Sequence, residues 1–150
     1  MQARMQHPAL TIPDLYPALM KVSGSIQAVG LGESLSELVH LRASQINGCS
    51  VCTEMHARGL KKAGESDERI WAVGAWRDSP HFTDAERAAL ELTEVLTRIA
   101  DRGDAVPDEI WDAAAKHYDE AQLSALVMEI AVINLWNRVN AATRQVGGSV

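Results

Sequence analysis

The stretch 47–56, NGCSVCTEMH, holds both cysteines of the chain, Cys49 and Cys52, with His56 four residues after the second. Three chemistries use such residues: a redox-active dithiol, a metal site, or a pair of inert buried thiols. On a helix of about 100° per residue, Cys49, Cys52 and His56 fall on one stripe, because residues three and four apart are surface neighbours. Cys49 stands at the helix start, and Gly48 lets the backbone turn sharply into it. A helix N-terminus carries roughly half a positive charge and unpaired N–H groups, so it favours thiolate over thiol. A histidine within reach accepts a thiol proton or stabilises the thiolate. The segment is therefore suited to forming a thiolate near neutral pH, at least at Cys52.

A carboxylate often orients such a histidine. Glu33, Glu37 and Glu54 are the nearby candidates. Glu54 lies about 200° around the helix from Cys52 and should face away. Glu37 sits among Leu38, Val39 and Leu41, about three turns before the Asn47–Gly48 corner, and could reach across to His56. Spacing alone leaves a solvated Glu37 and a catalytic one equally open. A zinc site of Cys49, Cys52, His56 and Glu37 is chemically allowed. Its ligands would come largely from two turns of one helix, a poor tetrahedral chelate, and the usual second ligand pair is missing. His40, three residues after Glu37, either lines the same pocket or sits on a helix surface. Glu129 lies in an apolar stretch and needs a partner if buried. No Lys or Arg lies three or four residues from it, so a cation would come from another helix or subunit, and it reads as a structural pair. His7, His81 and His117 sit in no motif. Trp71, Trp76, Trp111 and Trp136, at helical spacings, read as core or interface.

The elements that must position these residues read as helices almost throughout, with apolar residues at three- and four-residue steps and no period-2 strand. The pattern predicts helices over about 16–29, from near Ser34 to Asn47–Gly48, and from near Cys49 to Gly64. Ser66 caps a short helix carrying Ile70, Trp71, Val73 and Trp76, and DSPHF interrupts it. Thr83 and Glu86 form a capping box for the next helix. DRGDAVP is a loop, and Pro107 opens a helix with Ile110 and Trp111. Asp119 caps a last helix running to about Val146. That helix is apolar on nearly every face between Leu123 and Trp136, which implies burial on all sides, partly against another subunit.

The 150 residues suit a single domain, 1–150, that buries roughly 68–70% of its unfolded surface without a disulfide staple. The net charge is −6, and no run of Lys or Arg exceeds Lys61–Lys62, which argues against nucleic-acid and anionic-membrane partners. The N-terminal stretch lacks a signal-peptide core, and Ser124, Glu129 and Asn134 break the most apolar segment, so a soluble cytoplasmic protein is expected. In a reducing cytoplasm, C-x-x-C is catalytic or metal-binding more often than structural.

Glu37, eleven intervening residues, Cys49-x-x-Cys52, three more and His56 together resemble the E-x11-C-x-x-C-x3-H signature of the AhpD-like alkylhydroperoxidases, within the carboxymuconolactone decarboxylase superfamily. The likeness extends over LVHLRASQINGCSVCTEMHARGLKKAGE, AWRDSPHFTDAERAALELTE and VINLWNR, roughly residues 31–143. It implies an all-α domain of six to seven helices, assembled as a homo-oligomer (trimer or hexamer). It implies thiol-dependent reduction of organic hydroperoxides, with no metal, flavin or haem. Carried over by residue, Cys52 is the peroxidatic thiol, His56 its proton-relay partner and Glu37 the group that holds and polarises His56. Cys49, at an exposed helix start, is the resolving thiol and meets the dithiol reductant, a lipoyl- or thioredoxin-like protein. The best-known members carry a histidine between the cysteines, where this chain has Val51. The competing readings are a cofactor-free lyase of the same superfamily, which would not depend on the cysteine pair, and a non-catalytic redox-sensing oligomer.

Overall fold

The computed structural model describes residues 1–101 and 103–148; of the DRGDAVP loop, Arg102 therefore lies outside the described residues. Among the described residues there are eight α-helices, two short 3-10 segments and no strand. The helices are α1 (Pro8–Thr11), α2 (Leu15–Gln27), α3 (Glu33–Asn47), α4 (Ser50–Lys62), α5 (Asp67–Ala72), α6 (Asp84–Thr97), α7 (Asp108–Ala115) and α8 (Glu120–Thr143). The 3-10 segments are Val73–Asp78 and Ile99–Asp101. The helix not foreseen in the sequence is α1. A four-residue turn has no periodicity to read, and it forms where His7 Nδ1 accepts from the Ala9 N–H beside Pro8.

The caps follow the sequence. Ser66 Oγ accepts from the Arg69 N–H at the start of α5. Thr83 and Glu86 close a capping box on α6, and Asp119 and Gln122 close one on α8. The C-terminus of α3 turns at Gly48, whose left-handed φ of 65° is open to glycine at little cost. Cys49 is then the extended N-cap of α4, so α3 and α4 form a tight antiparallel hairpin with the cysteines at its bend.

Two clusters make the core. Val39, Ala89, Leu92, Leu126 and Ile130 join α3, α6 and α8, while Leu38, Leu41, Leu60, Val73 and Leu90 join α3, α4, the first 3-10 segment and α6. A polar seam fixes the rotation of α8 against α3. The Asn47 Nδ2 donates to Asn134 Oδ1 and Asn137 Oδ1, both at 2.9 Å, and Asn137 Nδ2 donates to Ser44 Oγ at 3.0 Å. Buried amides satisfied this way tolerate little slippage, because a shifted partner leaves a desolvated polar group unpaired. Glu94 ties α6 to the rest by accepting from Trp76 Nε1 and Arg42 Nε, both at 2.8 Å.

Helix α8 is not buried on all sides within this chain. Its inner face is covered, but Met128 and Leu135, two turns apart on one stripe, remain 44% and 38% exposed. The apolar pattern was continuous because it serves two faces, one against the core and one that the single chain leaves open. No helix among the described residues is long and apolar enough to cross a membrane.

Candidate active site

The α3–α4 bend places Cys49 and Cys52 one turn apart with Cα atoms separated by 5.4 Å, inside the range a disulfide spans, and the two are bonded. Both are buried, Cys49 at 2% and Cys52 at 1% exposure. The burial of Cys49 corrects the expectation of an exposed helix start. The two ends of the chain lie over it: Arg4 N–H donates to Thr143 O at 2.9 Å, Gln145 Nε2 donates to Met5 O at 3.2 Å, and Gly147 packs against the backbone of Ser50. Both sulfurs receive polar hydrogens. The Cys52 N–H donates to Cys49 Sγ at 3.4 Å, and Asn140 Nδ2 donates to Cys52 Sγ at 3.2 Å. Donors of this kind favour a thiolate over a thiol once the bond is reduced.

Glu37 reaches His56, as the hairpin geometry allowed. The Nδ1–H of His56 donates to Glu37 Oε2 at 2.8 Å. The carboxylate fits there because Gly59, one turn further along α4, has no side chain; a Cβ at Gly59 would overlap it. With Nδ1 bonded to Glu37, Nε2 is the free ring nitrogen, and it is buried with no hydrogen-bond partner among the described residues. Burial pushes the His56 pKa below its ordinary value. The hydrogen bond to Glu37 opposes that shift, and the neighbouring His40 adds to it. The ring is therefore neutral near pH 7, a base with a lone pair to offer.

Cys52, His56 and Glu37 line one cavity of about 460 Å³ between α2, α3, α4 and α8. The remaining wall is mostly apolar, with Tyr16, Met20, Met55 and Trp136 among its members. His40 lines it as well, and so does Glu129, whose Oε2 sits 2.8 Å from His40 Nε2. The foreseen partner for Glu129 from another helix is therefore His40 of α3. Its role differs from the expectation: the pair faces the same cavity as Cys52 instead of only joining helices. Trp136 and His7, read as core or as outside any motif, also belong to the cavity wall, with ring centroids 5.6 Å apart. Cys49 instead borders a second cavity of about 640 Å³, lined by Gln2, Ser50 and Arg144 among others. Trp71, by contrast, is 74% exposed and Trp76 is buried.

Glu37, His40 and His56 also offer donor atoms within 4.8 Å of one another, a set of two imidazoles and a carboxylate that a divalent metal could accept. This set differs from the cysteine-containing zinc site considered from the sequence.

The chain belongs to the carboxymuconolactone decarboxylase family, whose model matches residues 13–95. Within that family it is AhpD-like. It is 36% identical to the uncharacterized protein YdfG of Bacillus subtilis (strain 168) over 130 residues, 87% of each chain. Its fold matches, with a TM-score of 0.91 at 31% identity over 99% of this chain and 100% of the other, the crystal structure of an Agrobacterium tumefaciens protein of unknown function provisionally named an AhpD antioxidant-defence protein. The debrominase Bmp8 superposes with a TM-score of 0.76 at 23% identity, over 91% of this chain and 73% of that one, which shows the shared fold alone.

Proposed function

We propose that the protein is a thiol-dependent peroxidase that reduces organic hydroperoxides through Cys52 and Cys49. The observation that carries this reading is the shared cavity: a buried sulfur, a neutral histidine with an unpartnered Nε2 and the carboxylate that orients it all line one largely apolar chamber. In the reduced protein, His56 Nε2 takes the Cys52 proton. The thiolate attacks the terminal oxygen of the hydroperoxide, the O–O bond breaks, and the alkoxide leaves and takes up a proton as the alcohol. Cys52 becomes a sulfenic acid. Cys49 displaces water from it to form the Cys49–Cys52 disulfide, before further oxidation can proceed. An external dithiol then restores both thiols by exchange, entering from the Cys49 side.

The apolar chamber suits an alkyl or aryl hydroperoxide better than hydrogen peroxide, since apolar walls reward apolar substrate surface and leave small polar solutes unsolvated. The exposed stripe of Met128 and Leu135 on α8 supports assembly as a homo-oligomer, with a second copy covering the stripe.

Reduced protein treated with one equivalent of cumene hydroperoxide tests this directly. The expected result is loss of both thiols, a mass decrease of about two units per chain and one equivalent of cumyl alcohol. With dithiothreitol or a lipoyl-bearing protein present, turnover should continue. Intact thiols after exposure would overturn the reading.

A further inference from the structure

Cys52 and His56 occupy the buried part of their cavity. Its open part is built by three helices, each giving two residues about one turn apart. On α8, Trp136 lies four residues before Asn140, whose Nδ2 donates to Cys52 Sγ at 3.2 Å. On α4, Met55 lies three residues after Cys52, and on α2, Met20 lies four residues after Tyr16. Residues at these spacings share a helix face, and four residues rise about 6 Å. Trp136 therefore stands one turn along α8 from the residue that touches the sulfur, which leaves room for the O–O–C link of a hydroperoxide between the sulfur and the indole. The rings here already meet at angles. Tyr16 and Trp136 are T-shaped with centroids 6.4 Å apart, and His7 is tilted against Trp136. Tyr16, Met20 and Met55 nevertheless keep 44%, 40% and 45% of their surface exposed. A phenol ring and two thioethers thus have apolar surface uncovered beside an indole. Aromatic groups gain from edge-to-face partners, and thioethers gain at ring edges, both beyond the area they bury. A saturated chain of equal size would gain the area alone.

We propose that the substrate class of this site is a benzylic hydroperoxide, with one aryl ring on the carbon that bears the –OOH group and that ring seated among Trp136, Tyr16, Met20 and Met55. This deepens the thiol-peroxidase reading and rests on it. The seated ring sets the distance and direction of the terminal peroxide oxygen relative to Cys52 Sγ. The S–O bond forms as the O–O bond breaks, and two electrons pass from the sulfur to the peroxide. Cys52 becomes the sulfenic acid, and the departing benzylic alkoxide takes the proton that left Cys52 and becomes the alcohol. Trp136 and Tyr16 touch the ring and not the reacting atoms, so they determine specificity. Trp136 carries the larger share, because it is the ring that both His7 and Tyr16 pack against.

The test compares cumene hydroperoxide with its ring-saturated counterpart, 2-cyclohexylpropan-2-yl hydroperoxide, with dithiothreitol as reductant. Both release a tertiary alkoxide, so the O–O chemistry is matched and only the ring differs. For wild type we expect kcat/KM to favour the aryl substrate about fivefold, although the saturated ring is the more apolar. Trp136→Leu should bring this ratio to about one, and Trp136→Phe should keep most of it. Poor folding or a general disturbance of the site would lower both rates together and leave the ratio unmoved, so the ratio reads the ring contact. A wild-type ratio of one or below would overturn the proposal, and so would a ratio that Trp136→Leu leaves unchanged. An unchanged ratio accompanied by a shift in sedimentation would mean that Trp136 seats a second copy of the chain instead of a substrate ring. A wild type that consumes neither oxidant would instead defeat the peroxidase reading itself, and this inference with it.

Discussion

The two sulfurs of the α4 start are one helical turn apart, yet they border different chambers. Cys52 faces a mostly apolar cavity with two histidine–carboxylate pairs in its wall. Cys49 faces a cavity bordered by Gln2 and Arg144 near the chain ends and by Ser50 of α4. Both sulfurs are almost fully buried, so exposure does not distinguish them. What distinguishes them is the chemistry of the walls. A base with a free lone pair stands on the Cys52 side, and residues near the two chain ends, Gln2 and Arg144 among them, stand on the Cys49 side. On the proposed function, one turn of helix would divide a substrate side from a reductant side while keeping the two sulfurs within bonding distance.

The division can be broken most severely at the sulfurs. Cys52→Ser should reduce peroxide turnover to the uncatalysed background, whereas Cys49→Ser should consume a single equivalent of peroxide and then stop, as stopped-flow consumption assays would show. Next in size is the base. His56→Gln should lower kcat/KM for cumene hydroperoxide by about 100- to 1000-fold, with reduction of the disulfide by dithiothreitol little affected.

The carboxylate that orients His56 comes third. Glu37→Gln, or Gly59→Ala through overlap with the same carboxylate, should cost about 10- to 100-fold while both sulfurs stay intact. The pH profile sharpens this. The active His56 is neutral, so activity falls as pH drops through its pKa, which burial holds below the ordinary value of about 6.5. Glu37 raises that pKa, so Glu37→Gln should move the acid limb to still lower pH; His40 lowers it, so His40→Gln should move the limb upward. Stability follows the same sign. The unfolded chain takes up the His56 proton first, so the contribution of neutral His56 is complete above about 6.5 and is lost as pH falls through the depressed folded value. The smallest effect is expected on the other side. Arg144→Ala, at the rim of the Cys49 cavity, should change KM for a protein dithiol about threefold and leave kcat/KM for peroxide unaltered.

Much of the Cys52 side was legible in the sequence because its parts are close in the chain. Cys49, Cys52 and His56 share two turns of α4, and Glu37 lies just across a hairpin whose bend is announced by Asn47–Gly48. The caps at Ser66, Thr83 and Asp119 could be read for the same reason. The parts that were left open come from far away. His40 and Glu129 are 89 residues apart and meet only because the Asn47–Asn134–Asn137 seam sets the rotation of α8. The sequence signalled that a buried Glu129 needs a partner, but nothing local said which. Asn140 reaches Cys52 over 88 residues, and the segments near the chain ends meet beside Cys49 through bonds, such as Arg4 N–H to Thr143 O, whose partners lie about 140 residues apart. Trp136 was read as core or interface from its spacing, since an apolar wall and an apolar core are written in the same residues.

The most direct measurement traps the sulfenic acid. Cys49→Ser and Cys52→Ser proteins, reduced and then treated with one equivalent of cumene hydroperoxide in the presence of dimedone, are compared by peptide mass spectrometry. We expect the dimedone adduct on Cys52 in the Cys49→Ser protein and no adduct in the Cys52→Ser protein. An adduct on Cys49 in the Cys52→Ser protein, formed as fast as the other, would contradict the division of the two sulfurs between a substrate side and a reductant side.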